Sequence, residues 1–266
     1  MTEDRSNEEE IPLLGGRLNR VVRVGDTVRR PGGPWTPTVH ALLRHVREQG
    51  FTYAPAPLGW DDHGREILSY LPGTTVGPGP DWPGWLWHED LLADVGRVTA
   101  EFHRASAGFR PEGVIEWEGG PADLGPDEIV CHHDLAPYNL VFQGGRVSGI
   151  IDWDLVGPGT LRSELAFVAW QWVPFHDPFV TQYFGWRTPP DRPRRLKVLL
   201  DAYGLEDRAG FIDDVIARIK RNRDGIQRRA DEGVGAYVRL VREGHIEGMN
   251  RALSFLAEEG DHLAPD

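Results

Sequence analysis

One cysteine, Cys131, stands in a chain of 266 residues. That scarcity excludes an internal disulfide and any zinc site built from several thiolates. A lone thiol on an apolar stretch reads as a small buried hydrophobe. No apolar run is long enough to span a bilayer. The first ten residues, MTEDRSNEEE, carry five acids against one arginine, where a signal peptide would be basic and then apolar. They read as a disordered acidic tail, and a cytoplasmic location is expected by default. Positive charge is also short: 29 Lys and Arg against 41 Asp and Glu leave a formal charge of −12. That balance argues against nucleic acid or an anionic membrane as partner. It permits a cationic small molecule without requiring one. There is no internal repeat, and composition is ordinary for a soluble globular protein apart from 10 Trp and 32 Gly. The length allows one large domain or two smaller ones around a sizeable core.

The informative stretch runs from Ile129 to Leu155, IVCHHDLAPYNLVFQGGRVSGIIDWDL. It places Asp134, Asn139 and Asp152 in a segment with strong local signals. Glu128 to Cys131 is a short apolar strand, and Pro137 disfavours helix at Ala136, so the path to Asn139 is a tight loop. Leu140–Phe142 and Val147–Ile151 flank Gly144-Gly145, a hairpin signature. The hairpin brings Asn139 and Asp152 to one end, beside Asp134. Phosphoryl transfer needs a carboxylate near the attacking hydroxyl and hard oxygen ligands for the metal on the nucleotide phosphates. One Asp, one Asn and a second Asp meet that need. The alternative is a buried hairpin with solvated turn acids.

His132-His-Asp-Leu-Ala-Pro-Tyr-Asn139 fits the kinase pattern H-x-D-L-x-x-x-N. With Ile151-Asp152-Trp153 it resembles more closely the aminoglycoside phosphotransferases and choline kinases. The resemblance implies that Asp134 is the catalytic base, that Asn139 and Asp152 bind Mg²⁺, and that His132 braces the loop. It implies ATP or GTP as phosphate donor and a small-molecule hydroxyl as acceptor. The absence of Phe-Gly after Asp152, and of a later Ala-Pro-Glu, argues against a protein kinase.

Upstream, Val21–Val24 and Thr27–Arg29 read as a hairpin around Gly25-Asp26. By the resemblance, Gly15, Gly16 and Asn19 lie over the nucleotide phosphates; by themselves the glycines are equally a plain turn. A kinase also needs a cation on the third strand. That strand ends Val28-Arg29-Arg30-Pro31 and carries no lysine. Alternation puts the two arginines on opposite faces; the resemblance, whose members can carry Arg at this place, implies that Arg29 holds the phosphates, a solvated edge residue being the other reading. The helix from Thr36, capped there with Pro37 in its first turn, runs to about Gln49 and ends at Gly50. Val39, Leu42, Leu43 and Val46 form its core face. Kinases place a Glu here to pair with the strand cation, and this helix carries only Glu48, near its end, with His40 near its start. The usual ion pair is therefore in doubt.

A second hairpin, about 54–60 and 65–71, leads to Tyr70-Leu-Pro-Gly73, which resembles an interlobe hinge. There Ser69 C=O and Leu71 N–H are expected to meet the adenine. A Pro/Gly-rich linker precedes an amphipathic helix from His88 to Ala107, on which His103 reads as packed or on the surface. Beyond Asp152, Asp154 reads either as a metal-assisting group or as a turn acid. Glu164 fits the acid-Leu-Ala that anchors a helix behind the active site in these families. Trp170 and Trp172 suit core packing better than an acceptor pocket. Helices are expected at 192–203, 208–229 and 234–258, and the basic run from Arg218 to Arg229 reads as a solvated face.

The whole reads as an α+β, two-lobed kinase-like fold. Residues 11–71 form a small antiparallel-sheet lobe and 72–266 a mainly helical lobe. The expected activity is ATP-dependent phosphate transfer to a hydroxyl of an antibiotic or metabolite. The alternative is a non-catalytic nucleotide- or ligand-binding protein with an immunity or regulatory role.

Overall fold

The computed structural model describes residues 9–13, 21–80, 82–111, 113, 115–120 and 122–263. Five strands make the first sheet: β1 (Ile11–Pro12), β2 (Val22–Val24), β3 (Thr27–Pro31), β4 (Pro57–Trp60) and β5 (Arg65–Ser69). Their order is β1-β2-β3-β5-β4, antiparallel throughout. Gly25, at φ 57, makes the turn between β2 and β3 at a backbone conformation that a Cβ disfavours. Helix α1 (Thr36–Glu48) buries Val39, Leu42, Leu43 and Val46, as its periodicity requires. Its cap is Trp35 rather than Thr36, because the Thr36 hydroxyl accepts from the Gly33 amide at 2.9 Å. At its other end Gly50 takes the left-handed conformation.

Tyr70 to Thr74 crosses to the second lobe and is pinned there. Thr74 and Phe142 exchange two backbone hydrogen bonds, at 2.8 and 2.9 Å. Gly73 has φ 146, and a Cβ on it would sit 2.6 Å from the Phe142 carbonyl oxygen. Only glycine allows so close an approach.

The second lobe is mainly helical: α2 (Glu89–Ser106), α3 (Leu161–Trp172), α4 (Pro178–Tyr183), α5 (Arg192–Tyr203), α6 (Phe211–Asp231), α7 (Gly235–Arg242) and α8 (His245–Glu259). Between α2 and α3 lie β6 (Ile129–Cys131), β7 (Leu140–Gln143), β8 (Arg146–Ile150) and β9 (Gly157–Gly159). β7 and β8 are the expected hairpin, with positive φ at both Gly144 and Gly145. Buried Asp94 on α2 accepts from the Val147 amide and from Arg146, at 2.7 and 2.6 Å, so the hairpin is fastened to the helix beneath it. The core under both features contains Phe102, Trp153, Trp172 and Phe175.

The α+β two-lobed architecture is the expected one, with differences in detail. The segment expected as one helix over 234–258 is two, because Gly244 at φ 83 breaks it. β9, expected as loop, pairs with β6 and sets Gly157 opposite Cys131. Helix α6 starts three residues after the expected position, behind Gly210. Arg218 is not on a solvated face: it is buried, at 3% exposure, with α6 packed on α3.

Candidate active site

The loop between β6 and β7 is braced from below. His132 is fully buried, its Nε2 lies 3.2 Å from the Ile151 carbonyl, and its ring packs edge-on to Trp153. Burial pushes its pKa down to about 3, so the ring is neutral and Nε2–H donates to that carbonyl. The Trp172 indole N–H donates to the Leu135 carbonyl at 3.0 Å. Both tryptophans of the pair Trp170 and Trp172 lie in the core.

Asp134 follows His133, a non-glycine residue at φ 66. The Asn139 Nδ2 donates to the Asp134 backbone carbonyl at 2.9 Å and to its Oδ2 at 2.7 Å. The Tyr138 hydroxyl donates to Oδ1 at 3.2 Å. Desolvation, followed by the nearby Asp152 charge, raises the Asp134 pKa to about 7 against the lowering effect of those two hydrogen bonds. A carboxylate poised there can take a proton at neutral pH. The Ile151 amide donates to the Asn139 carbonyl at 2.9 Å, which brings Asp152, itself at φ 61, beside the loop.

Asp134, Asn139 and Asp152 are therefore gathered as the sequence predicts. The metal that such a trio implies is Mg²⁺, and the donors fit it. Asn139 spends its Nδ2 on Asp134, which leaves Oδ1 as its ligand atom, and Asp152 keeps a half-exposed carboxylate. Both are hard oxygen donors.

The strand cation is a correction. Arg30, not Arg29, faces this cleft. Its Nε donates to Glu66 at 2.6 Å, its Nη2 to Asp154 at 2.6 Å, and its Nη1 lies 3.3 Å from Asp152. Arg29 turns to the other face of β3, 3.8 Å from Asp61. The reason is register: Arg30 stands directly opposite Glu66 in the β3–β5 pairing, and cross-strand partners share a face. Burial opposes the Arg30 charge, but Asp154, Glu66 and Asp152 hold it firmly protonated. Against the cost of burial, the His40 hydrogen bond and Arg30 hold the Glu66 carboxyl below its usual range.

The ion pair that looked absent is thus present in another form. Its acid comes from β5 instead of α1, and α1 contributes His40, whose Nε2 lies 2.9 Å from Glu66. Trp35, capping α1, donates its indole N–H to Asp154 at 3.0 Å. Asp154 is accordingly neither free nor solvated. Glu66 and Tyr138 were not singled out from sequence, and His40 was noted only for its place near the start of α1. Glu66 left one signal: it lies two residues before buried Leu68, so strand alternation puts the acid on the core face.

Gly15, Gly16 and Asn19 lie outside the described residues. Ser69 ends β5; its amide and hydroxyl both bond Ala56 at 2.8 Å, leaving its carbonyl as the remaining polar group. Leu71 packs against Gly149 at the lobe junction. His103 is buried, its Nδ1 2.8 Å from the Tyr203 hydroxyl. Its ring comes within 4.8 Å of ligand atoms of Cys131 and Glu164. Both Glu164 oxygens already accept from the His133 amide, and the Arg218 charge nearby opposes a further cation.

A small antiparallel lobe joined by a pinned hinge to a helical lobe, with an H-x-D loop and an I-D-W hairpin end facing a buried strand cation, defines a kinase-like phosphotransferase fold. Residues 116–199 match the model of the family described as "Phosphotransferase enzyme family". The trifolitoxin immunity protein of Rhizobium leguminosarum bv. trifolii is 36% identical over 214 residues, covering 78% of this chain and 80% of that protein. With that relative, the chain belongs to the phosphotransferase enzyme family. Among solved structures, an amicoumacin kinase with AMP-PNP, Ca²⁺ and Ami matches at TM-score 0.62 and 13% identity, over 91% of this chain and 88% of that one. A choline/ethanolamine kinase family protein from Mesorhizobium loti matches at TM-score 0.61 and 18% identity, over 98% and 93%. These likenesses concern the fold.

Proposed function

We propose that this chain transfers the γ-phosphate of a nucleoside triphosphate, ATP or GTP, to a hydroxyl of a small molecule, an antibiotic or a metabolite. The observation that carries the reading is the Asp134 carboxyl. It is desolvated, fixed by Asn139 and Tyr138, and set beside Asp152 with its pKa raised to about 7. In this reading Asp134 accepts the acceptor's proton as the oxygen attacks. Asn139 and Asp152 would hold Mg²⁺, which would supply positive charge against that of the phosphates. Arg30, held by Glu66 and His40, presents Nη1 toward phosphate oxygens, the role first expected of Arg29. Ser69 C=O and Leu71 N–H meet the base. Catalysis is mainly positioning and charge stabilisation. A cytoplasmic location, where the nucleotide is supplied, belongs to the same reading. Among the described residues no helix is long and apolar enough to cross a membrane.

The second reading, a binding protein that confers immunity without chemistry, draws on the name of the immunity-protein relative. An immunity role is equally served by phosphorylating a toxic molecule. The site supports the catalytic version, because Arg30 and Glu66 supply the ion pair whose absence was the best argument for a dead enzyme. The deciding experiment offers purified protein and labelled ATP or GTP to a panel of hydroxylated antibiotics, amino alcohols and sugars. Label on an acceptor is expected. Full immunity in cells with no transfer to any acceptor would establish the binding reading instead.

A further inference from the structure

His133 is the hinge on which Asp134 is aimed, and it is held in a conformation that an L-residue resists. At φ 66 it is in a left-handed conformation that glycine adopts freely. Every polar atom of the residue is engaged. Its amide donates to both Glu164 oxygens at 3.0 Å. Its Nε2 lies 3.1 Å from the Pro158 carbonyl and so carries the proton, which leaves Nδ1 to accept from Arg218 Nη1 at 3.1 Å. Its carbonyl accepts from Arg218 Nη2 at 2.8 Å. One guanidinium therefore grips the side chain and the backbone of the same residue, which a lysine ammonium cannot do with that fork geometry. Arg218 is itself fixed by the Ser163 hydroxyl at 3.3 Å and lies over the Phe167 ring. The space admits no slack on the far side, since a Cβ on Gly159 would meet the His133 ring at 2.9 Å.

We propose that Arg218 is a positioning residue for phosphate transfer: with Glu164 it clamps the left-handed His133 linkage and thereby aims the Asp134 carboxylate at the acceptor. The clamp acts through the His133 backbone and touches neither nucleotide nor acceptor. The proposal rests on the phosphotransferase reading for its activity consequence, and on geometry alone for the loop.

The test compares R218K, which keeps a cation beside buried Glu164, with R218K/H133G, whose glycine takes positive φ without a clamp. With Mg·ATP and water as the probe acceptor, R218K should lower kcat roughly ten- to hundredfold, a misaimed-group effect, while KM for Mg·ATP stays nearly unchanged. The double variant should recover most of kcat. Hydrogen exchange of the amides from His133 to Ala136, read without nucleotide, should speed up about tenfold in R218K. It should return toward the wild-type rate in the double variant. Unchanged exchange and kcat in R218K would overturn the clamp. So would equal losses in kcat and nucleotide affinity that glycine fails to restore, since those describe general damage. A wild-type protein that transfers phosphate neither to water nor to any acceptor of the panel sinks the phosphotransferase reading, and the exchange comparison then still decides whether the clamp exists.

Discussion

The two halves of the cleft are built in opposite ways. On the helical lobe, Asp134, Asn139 and Asp152 come from a single loop and hairpin, and the hydrogen bonds that gather them lie within that segment. On the sheet lobe, the cation site is assembled from Arg30 on β3, His40 on α1, Glu66 on β5 and Asp154 from beyond the hairpin. The first half is specified by turn chemistry within a short segment. The second depends on strand register and on the seating of a helix. The Asp134 cluster is therefore gathered locally, and tertiary packing reaches it through Glu164 and Arg218 at His133. The Arg30 cluster depends on tertiary packing, and it is where this chain departs from the usual kinase pattern.

The sharpest way to strain that contrast is to alter the local half. Asp134→Asn keeps size and most hydrogen bonds but removes the basic oxygen. Turnover should fall by about 10²–10⁴-fold, with Mg·nucleotide affinity within a few-fold in a titration. Parallel loss of both would mean that Asp134 holds the metal instead. Asp152→Ala comes next: Mg·ATP binding should weaken on the order of a hundredfold, for loss of a charged ligand, while metal-free adenosine binds as before. An equal loss for the two ligands would remove Asp152 from the metal site.

The assembled half predicts smaller and more specific effects. Arg30→Ala should weaken ATP binding roughly ten- to hundredfold, the range of a charge-assisted hydrogen bond, with adenosine nearly unaffected. Arg29→Ala should change neither. The opposite pattern would restore the register first expected from the sequence. Glu66→Gln should weaken ATP less than Arg30→Ala does, because Asp154 still holds Nη2.

The smallest effect concerns stability against pH. Burial raises the Asp134 pKa to about 7 from an ordinary value near 3.8, so the folded state binds this proton more tightly. Its contribution is present at low pH and is lost as pH rises toward and through 7. In metal-free protein, Asp134→Asn should match wild type in urea melts near pH 4. It should exceed wild type by about 1–2 kcal/mol at pH 8. A difference that does not grow with pH would show that Asp134 titrates normally.

What could be read from sequence follows the same division. The loop, the Gly144-Gly145 hairpin and the helices from α1 to α5 follow from proline, glycine and periodicity acting over a few residues, with short α4 the exception. The fold class came from the resemblance carried by the H-x-D loop and Ile151-Asp152-Trp153. Arg30 was missed because alternation says only that two neighbours face opposite ways. The choice between them is made by Glu66, across the β3–β5 pair. Arg218 was misread because a basic run carries no mark of which member turns inward. That depends on α6 meeting α3. The break at Gly244 was missed because glycine within a helical pattern is sometimes tolerated, and its φ of 83 is settled by packing.

The single thiol gives the molecule a built-in clock. Cys131 is fully buried on β6, next to the loop that carries Asp134, and burial raises its pKa well above the usual thiol range. Alkylating reagents attack thiolate that they can reach. In native protein, labelling must then wait for β6 to part from its surroundings. The rate of modification, followed by mass, times how often the floor of the active site opens. A cysteine introduced at any exposed position would react first, and could carry a dye without removal of the native one.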